Sequence, residues 1–476
     1  MAVAVIALPP LIHHMGIDRF GILSLAWIIV GYFSLFDLGL GRALTKLIAD
    51  KLGAQDHQSI PSTVWTALLL LLLGTAGGLI AAAISPWLIH RVLKVPVELQ
   101  GETLSALYLL AGTINIVTVS CGLRGVLEAQ QRFRILNLIR IPTSIFSFVG
   151  PLLVLPFSHR LVPVILVLSL GRLVSCGVHL IACLRSTPGL RRNISLDPSL
   201  VKPLIKFGGW MTVTNVVGPF MLYMDRFEIG ALLSIGVVSY YTVPFDLVNR
   251  ISVIPAAISS VLFPAFAATI GNDRDRTHLL ISRGVKYIFM SVFPIALLVI
   301  TFAPDFLRIW LGSEFAQNSE LPMRWLAAGM FVISLATIPF VLVQSAGRPD
   351  ITAKLQIAEL PLYLGVLWVM TKRFGIEGTA ITWVGRVIVD GILLFFFSQR
   401  LLPLNSKLLA KVAMSLSAAL LSFYVVTIPE KLLFRIILLS AISIAFGLMS
   451  WRWGLDAGEK KFLQPRMGIP ARIPVN

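Results

Sequence analysis

Thirteen apolar stretches divide this chain, each about as long as a helix that crosses a bilayer: roughly 20–45, 63–89, 103–124, 135–157, 161–184, 203–223, 232–264, 284–303, 323–345, 352–370, 378–398, 406–427 and 432–451. A hydrocarbon core of about 30 Å needs about 20 residues of helix at 1.5 Å each. Within lipid every backbone N–H and C=O must find a partner, so only helices or a closed barrel span it. Runs of this length exceed what a barrel strand needs. The fold class is therefore an all-α polytopic membrane protein. A fourteenth stretch, "MAVAVIALPPLI", has the right character but only 12 residues. It lacks the basic leading region of a signal peptide and reads as the second half of a spanning helix whose beginning is missing.

The polar residues settle orientation. Only 13% of the chain is charged against 57% hydrophobic, about half the charged share of a soluble domain. The net charge of +17 does not indicate nucleic acid, which needs basic residues clustered on a folded soluble surface. Here they sit in short connections. If the connections alternate, one set of them carries 26 Lys and Arg and the other carries 11. The positive-inside rule makes the richer set cytoplasmic, with both termini on that side and residues 453–476 as a basic tail. Cys121, Cys176 and Cys183 all lie in apolar segments, spaced for neither a disulfide framework nor a zinc site.

Short phrases recur in order. "IDRF" (17–20) returns as "MDRF" (224–227), "FDL" (36–38) as "FDL" (245–247), "GRLVS" (171–175) as "GRVIV" (385–389), and "AQQRF" (129–133) is echoed by "SAGRP" (345–349). The spacing between partners drifts only slowly, between 207 and 216 residues. This implies a tandem repeat: an N-terminal lobe (1–184), a cytoplasmic linker (185–202), a C-terminal lobe (203–400) and two appended helices (401–452). An even helix number gives each lobe the same orientation, so the repeat axis lies along the membrane normal. Each "DRF" falls in a connection on the extracytoplasmic side. Asp18 and Asp225 are expected to cap helices there, with Arg19 and Arg226 reaching headgroups. A gate built where the two corners meet is the other reading.

Charges inside the apolar stretches carry the functional argument. A charged group at the helix centre costs roughly 2.5–3.5 kcal/mol on the insertion scale, and survives where it faces protein or water. The candidates are Asp37, Arg172, Asp246, Arg250, Glu359, Arg386 and Asp390. Asp246 with Arg250, and Arg386 with Asp390, share a helix face at i, i+4, and each pair either neutralises itself or serves a site. Arg172 has no carboxylate at i±3 or i±4. It occupies in the first repeat the place of Arg386 in the second. Pro142, Pro151 and Pro156, and then Pro244, Pro255 and Pro264, mark hinge candidates.

The stretches "IDRFGILSLAWIIVGYFSLFDLGLGRAL" (17–44), "LIKFGGWMTVTNVVGPFMLYMDRFEIGALLSIGVVSYYTVPFDL" (204–247) and "SAGRPDITAKL" (345–355) together resemble the Wzx-type polysaccharide flippases. These belong to the MOP superfamily of exporters, with the MATE drug exporters and the lipid II flippases. The resemblance implies a V-shaped bundle with a central cavity in a bacterial inner membrane. It also implies a polyprenyl-pyrophosphate-linked oligosaccharide as substrate, carried between leaflets by a monomer that works beside polysaccharide polymerase and chain-length proteins.

That substrate suits the residues. A pyrophosphate cannot enter lipid bare, and arginine binds phosphate through a fixed fork that stays charged at any depth. Arg172, Arg386 and Arg250 are the expected substrate-binding residues. Asp37, Asp246, Glu359 and Asp390 are expected to couple an ion or to tune the arginines. There is no GxxxxGK[ST], GxSxG, HExxH or CxxC run, so no cofactor, metal or catalytic centre is expected. A MATE-like exporter of small cations is the alternative, and it would favour a carboxylate-rich cavity. A membrane ligase would need a large catalytic loop, whereas the longest extracytoplasmic connection expected is 304–324.

Overall fold

The computed structural model describes residues 2–33, 40–73, 76–187, 189–191, 193–202, 220–270, 273–402 and 406–454. Among these there are helices and turns and no strand. The helices are α1 (Ala2–Met15), α2 (Ile17–Phe33), α3 (Leu40–Gly53), α4 (Ile60–Leu73), α5 (Ala76–Trp87), α6 (Val97–Ala129), α7 (Phe133–Val154) and α8 (Leu161–Ser186). They continue with α9 (220–232), α10 (Val237–Asn249), α11 (Val253–Thr269), α12 (Arg274–Leu311), α13 (Ser313–Ser345), α14 (Pro349–Leu401), α15 (Ser406–Val425) and α16 (Leu432–Met449). Eight stretches among the described residues are long and apolar enough to cross a membrane.

The chain forms two compact units. The first comprises 1–242 with 364–379, the second 243–363 with 380–476. In the first, Leu44 and Ile48 of α3, Val64 and Leu71 of α4, Leu123 and Val126 of α6 and Cys183 of α8 build one apolar core. Helix α3 reaches α6 closely because Gly125 has no side chain: a Cβ there would stand 2.6 Å from the Gly41 carbonyl oxygen. The Thr45 hydroxyl sits 3.1 Å from the Gly125 carbonyl at the same contact. In the second unit, Phe293 of α12 packs on Phe423 of α15 at 5.5 Å and on Phe446 of α16 at 4.7 Å. These offset and tilted rings dock the last two helices on the unit they follow.

Glycines set several boundaries. Gly16, with φ +78°, separates α1 from α2. The expected long connection 304–324 is instead helical on both sides of Gly312, whose φ of +94° makes the only interruption between α12 and α13. Pro304 and Pro322 lie inside those helices without ending them. Helix α14 runs through Gly375 (φ +62°, ψ −145°), where two helices fold against each other. Across that turn the Thr371 and Thr379 hydroxyls lie 2.8 Å apart. Between α10 and α11 the backbone tightens to a 3₁₀ turn at Arg250–Ser252, just ahead of Pro255. Proline offers no N–H to the carbonyl four residues earlier, so the α-helical ladder breaks there.

Candidate functional site

The two "DRF" corners differ in structure. Asp18 and Arg19 open α2 directly after Gly16. Arg19 donates from Nε and Nη2 to Glu102 Oε2 of α6, both at 3.2 Å. The other Glu102 oxygen accepts from the Leu161 backbone N–H at the start of α8. Arg19 thus ties three helix ends together, with a third of its side chain exposed.

Asp225 and Arg226 do not begin a helix. They lie inside α9, because the backbone turns at 233–236 and not at the charged phrase, and the capping expected of Asp225 is corrected accordingly. Both side chains are fully buried, with Arg226 Nη1 2.7 Å from Asp225 Oδ1. Tyr241 donates its hydroxyl to Asp225 Oδ2 at 2.7 Å, and Arg226 Nη1 also donates to the Leu222 carbonyl at 2.7 Å. The guanidinium carbon stands 5.5 Å from the centres of the Tyr223 and Tyr241 rings. A buried charge pair of this kind persists where Coulomb attraction, hydrogen bonds and cation–π contact offset its desolvation.

The two corners nevertheless share the first unit. Gly236 abuts Asp18, so that a Cβ there would meet Asp18 Oδ1 at 2.4 Å, and the Ser239 hydroxyl donates to the Ile17 carbonyl at 3.2 Å. The loop before α6 holds the end of α9 and the turn after it. Lys94 N–H donates to Gly230 O at 2.9 Å, Ile235 N–H donates to Lys94 O at 3.4 Å, and Lys94 Nζ donates to Leu232 O.

Arg172 sits on α8 among hydroxyls. Its Nη2 lies 3.5 Å from Ser147 Oγ of α7. One turn to either side, Ser169 meets Thr113 of α6 at 2.6 Å and Ser175 meets Thr143 of α7 at 3.2 Å.

In the second unit Arg386 faces a carboxylate that sequence spacing did not pair with it. Its Nε is 3.8 Å from Glu359 Oε2, across the fold of α14. Among the described residues neither Glu359 oxygen has a hydrogen-bond partner, and its side chain is 9% exposed. The Arg386 guanidinium carbon is 5.4 Å from the Tyr363 ring centre. Asp390 follows one turn later, half-buried. Asp246 and Arg250 are exposed, on α10 and in the turn that ends it. Asp37 lies outside the described residues.

At the turn before α14, Arg348 grips Asp350 with Nε–Oδ1 at 3.1 Å and Nη2–Oδ2 at 3.3 Å. That bonding holds the Asp350 carboxyl below its ordinary range. Glu102, Tyr241, Lys94 and Ser147 were not singled out by the sequence. Their partners are between 16 and 138 residues away, and no local pattern signals contacts of that kind.

Comparison with known proteins agrees with this architecture. The putative O-antigen transporter of Shigella flexneri is 28% identical over 406 residues, which cover 84% of this chain and 94% of that one. The probable low-salt glycan biosynthesis flippase of Haloferax volcanii is 23% identical over 206 residues, 42% of this chain and 43% of that protein. In fold, the chain is similar to an inward-facing multidrug resistance MATE family transporter of the MOP superfamily, with a TM-score of 0.69, 16% identity and coverage of 87% and 95%. A family model described as polysaccharide biosynthesis protein matches residues 1–270, more than half of the sequence, and the chain belongs to that family.

Proposed function

We propose that this protein is a flippase that moves a polyprenyl-pyrophosphate-linked oligosaccharide from the cytoplasmic to the opposite leaflet of a bacterial inner membrane for surface polysaccharide synthesis. The similarity to the putative O-antigen transporter over 84% of the chain carries this reading. Two chemical features support it. Arg172 lies midway along an apolar helix long enough to cross a membrane, beside hydroxyls, a donor set suited to phosphate. Arg386 is the corresponding residue of the second repeat. In this reading the lobes 1–184 and 203–400 alternate access around the headgroup, and Arg172, Arg386 and Arg250 bind it. Glu359, Asp390, Asp246 and Asp37 supply ion coupling or tune the arginines. Both termini are cytoplasmic, the working form is a monomer, and polymerase and chain-length proteins act on the product.

The test is reconstitution in proteoliposomes carrying a polyprenyl-pyrophosphate-linked saccharide in both leaflets. A membrane-impermeant glycosidase reads the outer leaflet. The expected result is that vesicles with the protein expose the inner pool and protein-free vesicles keep it protected. Equal protection in both would defeat the proposal.

A further inference from the structure

The first compact unit takes in two pieces of the second lobe. In the proposed function the lobes 1–184 and 203–400 alternate access, yet residues 220–242 and 364–379 fold as part of the unit built on the first lobe. These pieces carry two corners of the second lobe: the turn at 233–236 between α9 and α10, and the fold of α14 at Gly375. The first lobe meets them with the start of α2 and the loop before α6. In the topology set by the connecting charges, all four places lie on the extracytoplasmic side.

The charged contacts at this end stay within one lobe. Arg19 binds Glu102, both in the first. Asp225, Arg226 and Tyr241 bind one another between α9 and α10, which makes that hairpin one rigid piece of the second. The Thr371 and Thr379 hydroxyls brace the fold of α14. A Cβ at Gly375 would stand 4.0 Å from Leu233 Cδ1, so the tip of α14 rests on the α9–α10 hairpin.

The contacts that join the lobes are of another kind. The Ser239 hydroxyl donates to the Ile17 carbonyl. Lys94 exchanges main-chain bonds with Gly230 and Ile235, and its Nζ donates to the Leu232 carbonyl. Gly21 lies on the Ile235 carbonyl, and Gly236 lies on Asp18. Each of these contacts has main chain on at least one side. Water can take the place of such partners when the surfaces part, whereas a buried ion pair would resist separation. We propose that this junction is the extracytoplasmic gate of the transport cycle, shut in this structure, and that the α9–α10 hairpin and the tip of α14 swing off Gly21 and Lys94 together to release the headgroup. This rests on the proposed function and adds which surfaces part. The "DRF" charges are then stiffeners of the two jaws, and the gate itself is the neutral line between them.

The test is a disulfide across the junction of the full-length protein. A Cβ at Gly236 would lie 3.4 Å from Asp18 Cγ, within reach of the Cβ separation that a disulfide needs. Asp18→Cys with Gly236→Cys should therefore oxidise readily. Its flipping rate in proteoliposomes should then fall about tenfold or more, as for a closure that controls turnover, and reduction should restore it. Each single-Cys variant should be insensitive to the oxidant. A verified cross-link that leaves transport unchanged would overturn the gate. So would a pair that cannot be oxidised, because the shut contact would then not be visited. A second measurement needs no transport: spin labels at Val97→Cys and Phe374→Cys, both exposed positions, should give two distance populations in nanodiscs. A single population would also overturn the gate. A wild type that flips nothing yet shows two populations would remove the proposed function and keep the moving junction, so the two failures are distinguishable.

Discussion

Gly21 of α2 lies against the carbonyl of Ile235, so closely that a Cβ at position 21 would stand 2.0 Å from that oxygen. Backbone occupies the space that any other side chain needs. Gly21→Ala must therefore push α2 away from the turn before α10. The expected cost is about 1–3 kcal/mol, typical of overpacking, read as a lower unfolding temperature in detergent. An unchanged temperature would show that this contact is loose in solution.

The buried trio of Asp225, Arg226 and Tyr241 should behave as one unit. Asp225→Ala or Arg226→Ala strands a buried charge and should cost roughly 3–5 kcal/mol. Tyr241→Phe removes one hydrogen bond and should cost about 1 kcal/mol. The double change Asp225→Asn with Arg226→Gln leaves no charge behind and should be milder than either Ala variant. Thermal unfolding of the four proteins decides, and additive losses would contradict the coupling.

Glu359 makes the Arg386 experiment interpretable. Arg386→Ala leaves a carboxylate buried at 9% exposure without its guanidinium, so membrane levels should fall. Adding Glu359→Gln should restore them. If that double variant also flips substrate at the wild-type rate in proteoliposomes, Arg386 balances charge and does not bind the headgroup. Restored levels with transport still lost would assign it to the substrate.

Orientation has a direct readout. A reporter active only in the cytoplasm should work when fused after Arg276 and be silent after Glu314 or Glu377. Activity at Glu314 would invert the placement of α12 and α13.

The sequence made the fold class legible because each spanning helix must carry its own apolar length. It was less informative about ends. The 304–324 stretch looks like a connection because its charge rises, yet nothing in it except Gly312 forbids helix. The repeated "DRF" shows the same limit. Asp18 begins a helix and Asp225 sits inside one, because Gly16 and the 233–236 turn, and not the charged letters, bend the chain. In the site, spacing marked Arg386 and Asp390 as partners one turn apart. Folding at Gly375 brings Glu359 to within 3.8 Å of Arg386 from 27 residues away, a contact that helical periodicity cannot register. Arg172 was legible for the opposite reason: an unbalanced charge in an apolar run needs no partner to be noticed.

Lys94 is held to residues 230–235 through main-chain atoms alone on the far side: two carbonyls and one N–H. Such a seam reads spacing and not side-chain identity. The 230–235 segment is free to change most of its letters while the join survives, whereas a single inserted or deleted residue would throw the bonds out of step, and a proline in place of Ile235 would remove the one N–H. Substitution scans would pass over this join, and changes in loop length would expose it.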